Sequence, residues 1–311
     1  MPPPIPLPAD VQTWLRNSFQ SCNEHVSAVL SRVPTNHETT LDMSFIDHFA
    51  GIASPFQFPS GWVVQVSTHY LGGGRHVGDW PGLPRRWEIA DIGILVLFRQ
   101  RGRLIRSKVA LLQSKRLYPD ELEWDEDNPL DYVVGFGRLM QPDDDWADVI
   151  APRPFSFTPQ SRYKALVTGV NQYKAIAQYE AERQIPVYYL LYNPWQIPHT
   201  VTFPLAAGYE VHGACDVGCR IVPAQQLRTA LDGQPEGHSP AYEELEGHLP
   251  DPFTDEHNRS GWRFEHFIVD LLLECETGYI ANSPDDGGLN YIFNRRTGPI
   301  SAALALTIEA P

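Results

Sequence analysis

Over the first fifty residues, apolar positions recur at the spacing of a helix face. Val11, Trp14, Leu15, Phe19, Val26, Val29 and Leu30 predict one or two helices across residues 9–32. Leu41, Phe45, Ile46 and Phe49 predict another, starting near Thr35 or Asn36, either of which suits an N-cap. It carries Glu38 in its first turn and ends at Gly51 and Pro55. The period then changes to that of extended chain. Trp62–Tyr70 reads as a strand closed by Gly72–Gly74, and a loop through Trp80 to Arg86 follows. Trp87–Phe98 is a strongly apolar strand. Gln100-Arg101-Gly102-Arg103 reads as a hairpin turn, and Leu104–Lys115 as the partner strand, with alternation setting in toward its end. A helical pattern returns over Arg162–Arg183, and the apolar strand Val187–Tyr192 is stopped by Asn193-Pro194.

Two stretches break this order. Residues 119–160 hold Asp120, Glu121, Glu123, Asp125, Glu126, Asp127 and Asp143–Asp145 with several prolines, an acidic insertion long for a connection inside a compact domain. It reads either as a lid, gate or partner-docking surface or as a solvated excursion. Residues 201–311 are less legible. They suggest a strand near 200–212, a strand and helix at Gly218–Leu231, a linker at Gly233–Pro252, a helix at Trp262–Glu274 and a terminal strand, Ile300–Ile308. The expected organisation is an N-terminal proline-rich arm and helix (1–34), a core (35–200) carrying the acidic insertion, and a C-terminal α/β extension (201–311). The fold class is α/β, with a mixed central sheet flanked by helices.

Composition narrows the class further. A chain of 311 residues, 42% hydrophobic and 11% aromatic, can bury a sizeable core. No apolar run approaches the roughly 18 residues a membrane span needs, and the N-terminus MPPPIPLPAD has no export signal, so the expected location is cytoplasmic. Four cysteines are too few for a disulfide framework. Cys215 and Cys219 lack a second Cys/His pair nearby and read as small buried thiols rather than a zinc site. A net charge of −14 argues against a surface coated for nucleic-acid binding. One local basic groove remains open to it. Arg99, Arg101, Arg103, Arg106 and Lys108, with Arg85–Arg86 before them, form either a solvated hairpin tip or a set of phosphate contacts.

The candidate chemistry lies at the end of the hairpin. Side chains two apart on a strand share a face, so Gln113 and Lys115 in LLQSKRL point the same way. Asp91 opens the neighbouring strand in ADIGILVLF. A carboxylate, an amide oxygen and an ammonium converging at one sheet end suit phosphodiester hydrolysis. Hard oxygens hold Mg²⁺, and a lysine can orient water and steady developing negative charge. His37 and His48 read as surface or packing residues. Gly72–Gly74 lacks the helix and Lys-Ser/Thr of a phosphate-binding loop.

An acid on one strand and an acid or amide-x-Lys on the next, inside helix-strand-strand-strand-helix-strand order, resembles the PD-(D/E)xK nuclease superfamily. The resemblance covers residues 38–192 and implies a restriction-endonuclease-like core (αβββαβ). By that resemblance Asp91 is the first acid and a metal ligand, Gln113 the second motif position, and Lys115 the catalytic lysine. Glu38 matches the extra acid of the first helix, and Gln172, favoured over Lys174 and Gln178, the polar residue of the later helix. The implied cofactor is Mg²⁺ or Mn²⁺ held by Asp91, Gln113 and Glu38. The implied activity is endonuclease cleavage of DNA, in phage defence or restriction. Two departures stand out: no proline precedes Asp91, and Gln113 replaces the usual Asp or Glu. The second supports a rival reading, a nuclease-like fold without catalysis that serves as a binding or scaffold module. An unrelated α/β enzyme is the other rival. No membrane partner is expected, and a protein partner or second copy could dock on the acidic insertion or the C-terminal region.

Overall fold

The computed structural model describes residues 5–52, 54–70, 89–120, 153–203, 205–246, 261–281, 286–293 and 300–311. The acidic stretch 121–152, the glycine run Gly72–Gly74 and Arg85–Arg86 lie outside the described residues. The architecture is mixed α/β, with a nine-stranded mixed sheet among the described residues and helices on its faces.

The N-terminal helical pattern forms one helix, α1 (Ala9–Arg32), whose face of Val11, Leu15, Phe19, Val26 and Leu30 is excluded from solvent. A polar stripe beside it is buried too. Asn23 accepts the Cys219 N–H at 2.6 Å, and Ser31 Oγ accepts the Trp195 N–H at 2.7 Å, so the helix also satisfies a later loop. Helix α2 (Glu38–Ala50) starts after His37 rather than at Thr35 or Asn36, and no side chain caps it.

Strand β1 (Phe56–Gln57) is a short edge, followed by β2 (Val63–Tyr70), β3 (Ala90–Gln100) and β4 (Arg103–Arg116). Arg101 and Gly102, at φ 49° and 75°, make the two-residue turn that closes the β3–β4 hairpin. The alternation expected near the end of β4 is absent: every residue from Ser107 to Arg116 is buried, polar ones included. The basic cluster sits at the hairpin tip, where Arg99 Nη2 donates to the Gly102 carbonyl at 2.6 Å. Lys108 is fully buried and donates to the Leu272 carbonyl. At about 3.3 Å per residue, Arg103 lies roughly 40 Å of strand away from Lys115, too far to serve the same site.

Two further strands, β5 (Arg153–Phe157) and β7 (His199–Phe203), pair apart from the main sheet. Helix α3 occupies only Asn171–Arg183 of the predicted 162–183, because Gly169 at φ 70° breaks the chain there. It leads into β6 (Val187–Tyr192), which lies parallel to β4 with Gln113 level with Tyr189 and Lys115 level with Leu191. Strand β8 (Arg220–Pro223) and helix α4 (Ala224–Ala230) follow, then a helical turn, α5 (Tyr242–Leu245). The helix expected at Trp262–Glu274 is instead strand β9 (Trp262–Arg263), one α-turn (α6, Phe264–His266) and a π-helical segment, Phe267–Leu272. Strand β10 (Tyr279–Ala281) pairs with β4 beside its buried Lys108.

The C-terminal region completes the sheet. Strand β11 (Ile300–Ala310) enters between β2 and β3, antiparallel to the first and parallel to the second. The order is β1-β2-β11-β3-β4-β6-β8-β9. Strands β2 and β3 are therefore parted by β11, while β3 and β4 remain neighbours, so the sheet is not a simple run of the three strands in sequence order. Helices α1 and α2 cover one face, where Ile92, Ile94, Val96, Leu304 and Leu306 are buried. Helices α3 and α4 lie on the other, where Asp91, Leu95 and Leu97 stay half-buried.

Candidate active site

The β3–β4 register sets Ile92 opposite Leu112, which brings Asp91 level with Gln113 at the hairpin's open end. The Gln113 side-chain amide donates to Asp91 Oδ2, and the Ser114 N–H donates to the same oxygen at 2.7 Å. Gln172, in the first turn of α3, donates from Nε2 to Gln113 Oε1 at 3.0 Å. Lys115, only 5% exposed, lies 3.6 Å from Glu38 Oε2, and the Arg116 N–H donates to Glu38 Oε1 at 3.1 Å. All five residues singled out from the sequence thus come together. Lys174 and Gln178 do not join them: Lys174 pairs with Glu236 at 3.2 Å and Gln178 bonds Glu182 at 2.7 Å.

Sequence reasoning missed Asp42. It lies one helical turn after Glu38 on α2 and is 8% exposed. The Ser114 hydroxyl donates to its Oδ1 at 2.5 Å and the Tyr192 hydroxyl donates to the same atom at 2.7 Å. The signal was present: an acid between Leu41 and Phe45, inside the apolar stripe of an amphipathic helix, must find partners. Ser114 links the two carboxylates, with its backbone on Asp91 and its hydroxyl on Asp42.

The electrostatics follow from burial. Desolvation raises the Asp91 carboxyl to about 6, against the lowering effects of Lys115, the Ser114 N–H and the Gln113 amide, while Glu38 adds to the rise. Asp42 is raised well above the ordinary carboxylate range by burial first and by Asp91 second. Asp42→Ala would remove the acceptor that the Ser114 and Tyr192 hydroxyls share, leaving them only each other. We expect it to cost about 1–3 kcal/mol in chemical denaturation, the penalty for one orphaned group, while Asp42→Asn, which keeps the acceptor, costs much less. Equal losses for the two variants would assign the effect to charge instead.

Among the described residues no three His, Cys, Asp or Glu side chains form a group able to hold a metal ion. The oxygen donors at the site are the carboxylates of Asp91 and Glu38 and the Gln113 amide. Carboxylate and amide oxygens are the donor types that Mg²⁺ takes, usually one or two carboxylates beside several waters. The amide of Gln113 meets Asp91 through its nitrogen, so its carbonyl could face a cation only after turning over. Burial raises the thiols of Cys215 to about 11 and Cys219 to about 12, which opposes their deprotonation to metal-binding thiolates. The chain was compared with protein-family models, curated proteins and solved structures, and it matches none of them.

Proposed function

We propose that the chain is a metal-dependent nuclease that hydrolyses phosphodiester bonds of DNA with Mg²⁺ or Mn²⁺, in phage defence or restriction. The observation that carries the reading is the convergence of Asp91, Gln113, Lys115 and Glu38, from three elements, at one half-buried sheet end. Asp91 and Glu38 would hold the ion, which when bound polarises a phosphoryl oxygen and lowers the pKa of water. Lys115 would orient the attacking water and steady the charge that develops on the phosphate. Gln113 would turn its amide to present oxygen, and Gln172 would follow to keep a hydrogen bond to it.

The test is incubation with plasmid, single-stranded DNA and RNA in Mg²⁺, Mn²⁺ or EDTA, with calorimetric titration of the cation. Cleavage should require the cation, and Asp91→Ala should abolish both cleavage and binding. Because protons compete with the cation for Asp91, affinity should fall by up to about tenfold per pH unit below about 6. Cation-independent cleavage, or binding unchanged in Asp91→Ala, would remove the proposed centre.

One observation favours a second reading, a binding or scaffold module without catalysis. Gln113 satisfies Asp91 as a neutral donor and the Ser114 N–H donates to the same oxygen, so these groups form a hydrogen-bonded network of their own. Absence of cation binding in the same titration would favour it.

A further inference from the structure

Phe19 on α1 and Phe49 on α2 meet with ring centres 4.8 Å apart, and Cys22 Sγ lies 4.0 Å from the Phe45 carbonyl. All four residues are buried, so this apolar seam fixes the two helices against each other. At its solvent rim stand two imidazoles, one from each helix. His25 is exposed and His48 half-buried, and their ring centres are 5.5 Å apart with 34° between the planes. From the sequence His48 reads as a surface or packing residue, because no local pattern shows that a histidine of another helix faces it. The spacing is that of two ligands on one ion. With a Zn–N bond of about 2.1 Å and roughly 1.2 Å from nitrogen to ring centre, two imidazoles on a tetrahedral Zn²⁺ set their centres about 5.3 Å apart. Burial first and His25 second lower the pKa of His48, against the Ser18 backbone and Asp47, so at neutral pH the ring is neutral, the form that ligates a metal. The Ser18 backbone hydrogen-bonds the same ring, as outer partners do when they hold a ligating histidine in one tautomer.

We propose that His25 and His48 form a two-imidazole site for Zn²⁺ that clasps α1 to α2 and leaves the remaining coordination positions to water. The seam beneath already holds the helices in place, so the ion has only the exposed His25 ring to order, and rotation about its χ2 brings either nitrogen to the metal. Imidazole suits Zn²⁺ and Cu²⁺, whereas Mg²⁺ takes carboxylates and water. About 15 Å of helix separates His48 from Glu38. The clasp is therefore distinct from the candidate active site and does not depend on the nuclease reading.

The test is calorimetric titration of the full chain with ZnCl₂ in millimolar Mg²⁺, which occupies carboxylate sites but competes poorly for imidazole. The unsubstituted chain should bind Zn²⁺, and His25→Ala and His48→Ala should each weaken that binding by about tenfold or more. The double variant should lose little beyond either single one, because the two rings act on one ion. His37→Ala, at the other end of α2, should leave binding unchanged. With Cu²⁺ in place of Zn²⁺, electron paramagnetic resonance should show coupling to two imidazole nitrogens, falling to one in either single variant. Zn²⁺ should raise the melting temperature of the unsubstituted chain and not that of the variants. Melting without the cation reports whether His48→Ala folds; if it does not, His48→Gln and the exposed-site variant His25→Ala carry the test. No Zn²⁺ binding by the unsubstituted chain, binding indifferent to both histidines, or dependence on only one of them would each overturn the clasp.

Discussion

Lys115→Ala is expected to lower the cleavage rate by about a hundredfold or more while leaving the fold in place. The side chain is 5% exposed, yet its ion pair with Glu38 at 3.6 Å involves a carboxylate that is 23% exposed and keeps the Arg116 N–H. Water and that N–H can cover the loss, so stability should change by about 1 kcal/mol. A second consequence follows from the field. Lys115 holds the Asp91 carboxyl down, and without it Asp91 rises above about 6. The pH midpoint of cation binding should therefore move upward in Lys115→Ala. Measuring turnover at saturating Mg²⁺ beside cation affinity at several pH values separates the two effects. Cleavage near the rate of the unsubstituted chain would exclude Lys115 from the chemistry.

Gln113→Glu should give a protein whose stability depends on the cation. The Gln113 amide donates to Asp91 Oδ2, and both groups lie in a desolvated site, with Gln113 2% exposed. A glutamate there replaces an attraction with two facing carboxylates. In EDTA, stability should fall by about 2–4 kcal/mol, or about 3–6 °C in melting temperature for a chain of this size. Raised carboxyl pKa values in the variant make that loss appear as pH climbs and shrink under acid conditions. Millimolar Mg²⁺ should restore the stability, because two carboxylates suit a hard cation better than a carboxylate and an amide, and a ligand bound only to the folded state stabilises it. Differential scanning calorimetry with and without Mg²⁺ reads both halves. A melting temperature indifferent to Mg²⁺ would indicate that Gln113 does not face a cation site.

Helix and strand periods in the sequence were sufficient to place α1, α2, the β3–β4 hairpin and β6, because each is decided by the local rhythm of buried positions. The period of two also put Gln113 and Lys115 on one face, and the shared hairpin brought Asp91 level with them. Other features belong to the tertiary structure. The terminal strand was legible as a strand of a C-terminal extension, but its place was not: Leu304 sits between Thr68 and Ile94, a pairing across more than two hundred residues that no local pattern records. The polar end of β4 read as alternating, but β3, β6, α2 and α3 enclose it, so Gln113, Ser114, Lys115 and Arg116 are all buried and must be satisfied by partners far along the chain. Asp42 and Tyr192 became neighbours of the site only through that packing. The sequence by itself set which residues could carry charge to this sheet end; the packing decided which were desolvated, which found partners, and which, like Arg116 Nε, were left without one.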